Sequence, residues 1–352
     1  MYLKHVVGTA AILAIAMAAP VSAHEEISPP RLIWFFLSEG VKQGLGMRPA
    51  WEAWSKVPKD VPAAAQGAGD CEVLRRDDSI SVMRPMEIVR PGKYCLDRDY
   101  EFACSPSAHD CAGRMIDIRA SNVDLDFRGH TLRMSGTRRY RGVWGTGQKI
   151  RVHNGRIEGA GAGVTLMDRG SSPGNAYPDM PVDTDDVFSD TGFVVENMQF
   201  SGVLSAIEIA GSGNLVRDNR IDAMLDATTA GGPPFALLSY GPFARIVRNT
   251  FHLRELTPGW SGHAMYLRSA DGTQVGDNTV SVDGACAGTV GIGLSRSRDI
   301  VLHRNQLDTE KMTDLDWRSS LDSAAMNGVK SGAQRAGAGQ GCPEVAGKPA
   351  NS

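Results

Sequence analysis

The chain has 352 residues, 42% of them hydrophobic, with 40 Gly, 7% aromatics and a formal net charge of −3. This is a globular composition with enough apolar residues for a sizeable core, and its glycine content favours a turn-rich β-protein over a helical bundle. It lacks the basic stripe that a nucleic-acid binder needs, so no nucleic-acid partner is expected.

The first element in chain order is an export signal. Lys4 precedes an apolar run from Val6 to Ala19, and "VSA" (Val21 to Ala23) has the small-residue pattern of a cleavage site. The run is short for a membrane span. A signal peptide over 1–23 and a periplasmic or secreted product are therefore expected, with an uncleaved anchor as the competing reading. Export makes the six cysteines candidates for disulfides. Cys104 and Cys111 enclose the short polar loop "SPSAHD" and can pair, which leaves Cys71 with Cys95 and Cys286 with Cys342 as the preferred set. No CxxC pair or histidine cluster supports a zinc site instead.

Residues 24–70 are unlike the rest. "RLIWFFLSEGVKQGL" reads as a short amphipathic helix, in a segment that also holds Trp51 and Trp54. It either caps the open end of a core or offers residues 29–56 to a membrane or protein partner. "VPAAAQGAG" (Val61 to Gly69) then reads as a linker.

A repeat occupies 71–318. Asn154, Asn197, Asn219, Asn249, Asn278 and Asn305 each sit between β-forming residues, and four of the five gaps fall between 22 and 30 residues. The longer first gap holds a polar insertion, "RGSSPGNAYPDMPVDTDDVFSD" (Arg169 to Asp190). Before the Asn segments come alternating stretches, "GVTLMD", "AIEIAG", "AMYLRS" and "GIGLSR". Short strands divided by Gly, Ser, Asp and Asn, with no room for a ten-residue helix, exclude helical and leucine-rich repeats. Propeller blades need longer units. A solenoid of about six to eight three-stranded coils fits, in which equivalent turn residues stack. An Asn there tolerates a left-handed turn, and stacked Asn side chains can hydrogen-bond along the axis. The repeated Asn is thus read as structural. Residues 319–352 read as a low-complexity tail.

"PGKYCLDRDY" (Pro91 to Tyr100), "IDIRASNVDLDFRGHTLRM" (Ile116 to Met134) and "GQKIRVHNGRIEGAGAGVTL" (Gly147 to Leu166) resemble the opening coils of the pectin-lyase-like superfamily. The resemblance implies an all-β fold, a right-handed parallel β-helix solenoid, to which the amphipathic segment adds a short N-terminal helical cap. It also implies extracellular polysaccharide bound in a groove along one sheet. It does not fix an activity, because the superfamily holds lyases, hydrolases, epimerases and non-catalytic proteins.

The hydrolase pattern of that superfamily is incomplete here: Asp185-Asp186 lies in the insertion, Gly262-His263 lacks the following Gly, and Arg-Ile-Lys is missing. "SYGPFAR" (Ser239 to Arg245) lacks the Asp and His of the epimerase segment. The outward positions of successive strands still collect Thr165, Glu208, Ser239 or Tyr240, Tyr266, Arg268, Ser295 and Arg296. In this reading His263, Tyr266 and Arg268 are catalytic, with His263 or Tyr266 moving a proton and Arg268 neutralising a uronate. Glu208, Tyr240 and Arg296 bind substrate. No cofactor is required, although Asp183, Asp185, Asp186 and Asp190 could hold calcium. The expected function is an exported lyase or epimerase on uronic-acid-containing glycan. The alternative is a non-catalytic carbohydrate-binding or envelope assembly protein. A metal-delivery role ranks last, because Met and His do not cluster.

Overall fold

The structure is a computed structural model. It describes residues 71–76, 84–104, 113–136, 141–167, 190–225, 235–255, 262–283, 289–309, 311–315 and 330–331. The export signal, the expected helical cap, the 169–189 part of the insertion and most of the tail lie outside the described residues.

Every regular element among them is a β-strand. One nine-stranded sheet is wholly parallel. Its strands are β1 (Met86–Ile88), β2 (Arg114–Ile118), β3 (Arg141–Thr146), β4 (Ala162–Met167), β5 (Ser205–Ala210), β6 (Phe235–Tyr240), β7 (His263–Arg268), β8 (Val290–Ser295) and β9 (Lys311–Leu315), in that spatial order. The remaining strands form a second, 16-stranded parallel sheet. The chain therefore makes a parallel solenoid of long sheets. Nine strands in the first sheet exceed the six to eight coils expected, because the coils before Asn154 carry no marker Asn and were undercounted.

One coil shows how local sequence builds the unit. β5 is followed by Leu215–Arg217 and Arg220–Leu225, and each of the three pairs in register with its counterpart one coil later. Apolar residues at alternate positions then stack inward as columns. Ile207, Leu237, Met265 and Ile292 form one column and Ile221, Phe251, Val280 and Leu307 another, all in the core. Each large side chain buried this way contributes roughly 1.5–3 kcal/mol. A single core runs along the solenoid from Leu74 to Leu307.

The recurrent Asn residues split into two classes. Asn219, Asn249, Asn278 and Asn305 are buried and form a ladder. Asn219 Nδ2 donates to Asn249 Oδ1 at 2.9 Å, Asn249 Nδ2 to Asn278 Oδ1 at 3.0 Å, and Asn278 Nδ2 to Asn305 Oδ1 at 2.9 Å. Each Nδ2 also reaches a carbonyl of the preceding coil, such as Val216 O at 3.1 Å from Asn249. These four do not adopt the left-handed conformation. The residue before each does: Asp218, Arg248, Asp277 and Arg304, with φ of 58, 58, 57 and 50°. Asn154 and Asn197 are left-handed themselves, at φ 59 and 53°, and exposed. The single explanation expected from sequence, one Asn serving both turn and ladder, is therefore corrected. Asn is tolerated in αL without being required there, while only a buried side-chain amide can donate and accept within the stack.

Charge reinforces the corner. Arg248 donates to both carboxylate oxygens of Asp218 at 2.7 Å, and Arg304 to those of Asp277 at 2.6 and 2.7 Å. The left-handed column alternates acid and base over four coils. At the N-terminal end Cys71 and Cys95 form a disulfide with Cα atoms 5.8 Å apart, as the preferred pairing expects. The other four cysteines are not among the residues whose side chains are described.

Candidate functional site

Because strand residues alternate faces, fixing the inward column of the nine-stranded sheet fixes the outward one. Register places Glu87, Asp117, Trp144, Thr165, Glu208, Leu238, Tyr266 and Gly293 in one outer column. Each step along it is one rung, about 4.8 Å. A second outer column runs Arg114, Arg141, Ala162, Ser205, and a third contains Tyr240, Arg268 and Ser295.

His263 enters this face at a bend. Ala264 and Met265 are both fully buried in the core, so the chain turns inward over two residues. The imidazole lies on the outer side of the sheet but is itself buried, 8% exposed, with its ring centroid 5.1 Å from that of Tyr266 and an interplanar angle of 49°. The floor under both rings is Gly293. A Cβ there would stand 2.3 Å from His263 Cδ2 and 2.9 Å from Tyr266 Cδ2. The glycine is what allows an imidazole and a phenol to lie together on the sheet.

Glu208 is two rungs from Tyr266. Thr165 Oγ1 donates to its Oε2 at 3.2 Å. Burial pushes its carboxyl above the usual range, and the Arg141 charge and the Thr165 hydrogen bond only partly offset that. Glu208 is thereby suited to donate a proton or hydrogen bond in a pH range where an ordinary glutamate has already ionised.

The other expected residues fall differently. Ser239 faces the core, in register with Ile209 and Leu267, so Tyr240 is the outward member of that pair. Burial pushes the Tyr240 hydroxyl up to about 12, against the opposing charges of Arg268 and Arg296. Arg268 lies in the outward column but is 0% exposed, its guanidinium 5.4 Å from the Tyr240 ring centroid. It supports Tyr240 and does not present its charge to solvent. Arg296 is exposed just past β8, at φ 52°. The structure thus brings His263 and Tyr266 together, sets Tyr240 and Arg268 beside each other in the adjoining column, and spaces Glu208 two rungs upstream.

Sequence reasoning did not include Arg141 and Trp144, which occupy the same face upstream of Glu208. Arg141 lies 4.6 Å, and Arg114 5.9 Å, from the Trp144 ring centroid. Trp144 also packs on a small outer apolar cluster of Met167, Ala210 and Tyr240.

The second sheet carries its own polar outer face. His153 Nε2 lies 2.8 Å from Asp124 Oδ1, and Glu196 is buried between Arg151 and Arg217. Burial pushes Glu196 upward, but the two arginine hydrogen bonds outweigh it and hold the carboxyl below its usual value. Those groups pair with one another. Among the described residues no three His, Cys, Asp or Glu side chains are placed to hold a metal ion. Of the expected calcium loop only Asp190 is described. Among the described residues no helix is long and apolar enough to cross a membrane. Comparison with family models, curated proteins and solved structures gave no match for this chain.

Proposed function

We propose that the protein is an exported member of the right-handed parallel β-helix, pectin-lyase-like kind, acting on uronic-acid-containing glycan as a lyase or epimerase. The observation that supports it is the His263–Tyr266 pair seated over Gly293 on the outer face. A glycan lying across the rungs would bring the C–H bond beside its carboxylate to that pair. His263 acts as the base that takes this proton. In elimination the electron pair forms a C=C bond as the bond to the leaving glycosidic oxygen breaks, and Tyr266 protonates that oxygen. In epimerisation the bond to oxygen stays intact, and a proton returns to the same carbon from the opposite side. Glu208, whose carboxyl burial pushes above its usual value, hydrogen-bonds a sugar hydroxyl upstream.

Glycoside hydrolysis fits less well. It needs two carboxyl groups about 5–9.5 Å apart. Among the described outer-face residues the nearest carboxylate to Glu208 is Asp117, three rungs away, about 14 Å by rung spacing.

The alternative, a non-catalytic glycan-binding or assembly protein, is favoured by one observation. Arg268, the expected uronate clamp, is fully buried. The test is incubation of the mature protein with alginate, pectate and glucuronate-containing bacterial polysaccharides, following absorbance of the unsaturated product and epimer ratio by NMR. Turnover lost in His263→Ala and Tyr266→Phe supports the enzyme. Polymer retention without either change supports the binding protein. Chain shortening without new absorbance overturns both.

A further inference from the structure

We infer that Arg114, Trp144 and Arg141 form an anion-binding subsite on the outer face of β2 and β3, which takes the carboxylate of a uronic acid residue upstream of Glu208. This rests on reading the face as a glycan site, and it adds a recognition element that the catalytic reading does not contain.

The geometry is that of a held guanidinium pair. Arg114 and Arg141 are directly paired across adjacent strands. Both guanidinium groups lie near one indole, at 5.9 and 4.6 Å from its centroid. Stacking on an aromatic ring fixes a guanidinium plane while leaving its edge N–H groups free to donate. Two like charges on neighbouring rungs repel, so their retention calls for an anion nearby. Asp117 supplies part of it: Arg114 reaches its carboxylate at 2.9 Å. Asp117 is already shared with Arg119, at 2.6 Å. Glu87 lies 3.3 Å from Arg119 and is engaged there. Arg141 makes no ion pair within 4 Å among the described residues, and the Glu208 carboxyl acts on it only at longer range.

The unsatisfied donors point the same way. The Nε atoms of Arg114 and Arg141 are both buried without a hydrogen-bond partner, as is Oδ1 of the 1%-exposed Asp117. Buried donors left without acceptors are costly, and folded proteins seldom keep them unless a ligand or water completes them. A carboxylate has the bidentate shape that a guanidinium edge fits. A sugar hydroxyl beside it can donate to the free oxygen of Asp117, which a bare sulfate cannot do. From this pair the column continues at rung spacing through Thr165 and Glu208, is interrupted by the buried Leu238, and resumes its polar character at Tyr266. That is the layout for an extended chain of sugars, not for a compact anion.

The test is calorimetric binding of the mature chain to tetrasaccharides of galacturonic, mannuronic and guluronic acid, each beside its carboxyl-reduced counterpart. At least one acidic tetrasaccharide binds, and its reduced form binds at least about tenfold more weakly. Arg141→Gln weakens the acidic ligand by about tenfold or more and changes the reduced one by less than about twofold, while Arg141→Lys falls between. Trp144→Leu, which frees the guanidinium groups, weakens acidic binding in the same selective way. Circular dichroism checks that each variant is folded, and Arg114→Gln serves as a second probe should Arg141→Gln not fold. A protein that binds selectively but turns nothing over refutes the catalytic reading and leaves this subsite standing. Equal binding of acidic and reduced ligands, an Arg141→Gln variant with unchanged selectivity, or no binding of any acidic tetrasaccharide overturns the inference.

Discussion

Replacing Asn249 by Ala removes a middle rung of the buried ladder. Its Nδ2 donates to Val216 O, Val247 O and Asn278 Oδ1 at 3.1, 3.2 and 3.0 Å. Its Oδ1 accepts from the backbone N and the Nδ2 of Asn219 at 3.1 and 2.9 Å. The truncation leaves two donors of Asn219 and one lone pair each on Val216 and Asn278 without partners, in a place water does not reach. At about 1 kcal/mol per hydrogen bond, and more for each orphaned donor, the loss is about 3–5 kcal/mol. Asn249→Asp is expected to be at least as harmful at neutral pH, because it sets an acceptor against Val216 O and Asn278 Oδ1 and buries a charge. The exposed αL residues are the control. Asn154→Gly and Asn197→Gly keep the backbone conformation and should cost well under about 1 kcal/mol, since glycine adopts αL freely. Urea unfolding followed by circular dichroism measures all four. If Asn249→Ala costs no more than Asn197→Gly, the two-class account of the asparagines is wrong.

Gly293→Ala would put a methyl 2.3 Å from His263 Cδ2. The ring must retreat by about 1 Å to reach normal carbon contact, and turnover of an active glycan should fall about 100-fold with little loss of fold; initial rates beside a thermal melt check it. Glu208 has a folded-state pKa above its usual value, so the burial cost is present at high pH and relieved as pH falls. Glu208→Gln should therefore stabilise the protein at pH 7 and lose that advantage as pH drops through the raised pKa toward 4.5, in denaturation series across that range. Glu196 behaves oppositely, its ion-paired carboxylate contributing stability above the usual pKa of 4.5 that is lost as pH falls through its depressed one. Glu196→Gln should flatten the acid limb of the stability curve. Cys71→Ser opens a loop spanning 24 residues and should cost about 3 kcal/mol, matched by treating the wild type with reductant.

The solenoid was legible because its repeat is written in two features that depend only on local geometry, strand alternation and a corner at a fixed spacing. The ladder and the turn were harder to separate, because Asn suits both and the two sites are adjacent in the chain. In the coils of Asn154 and Asn197 the ladder position is held by Gly155 and Met198. Gly155 leaves room for Phe127, which an added Cβ would approach to 2.1 Å. Alternation also gave the outward direction of Glu208, Tyr266 and Arg268. It did not give the burial of Arg268, which depends on neighbouring strands. Arg141 and Trp144 escaped notice because "RGVWGT" has Gly142 and Gly145 at core-facing positions, Gly145 standing where the neighbouring coils have Ile118 and Leu166. Those glycines yield space to residues of the next coil: a Cβ on Gly145 would lie 2.6 Å from Leu166 Cδ2, and one on Gly142 2.6 Å from Gly163 O. The strand is therefore half-amphipathic in sequence and fully so in place.

The central claim is that the outer face of the nine-stranded sheet is where glycan binds. Hydrogen–deuterium exchange with and without a bound acidic tetrasaccharide tests it most directly. The account predicts slowed exchange in β3, β5 and β7 and in the turns that follow them, with the second sheet unchanged. Protection confined to the Asp124–Arg151–His153–Glu196 face of the second sheet would contradict it.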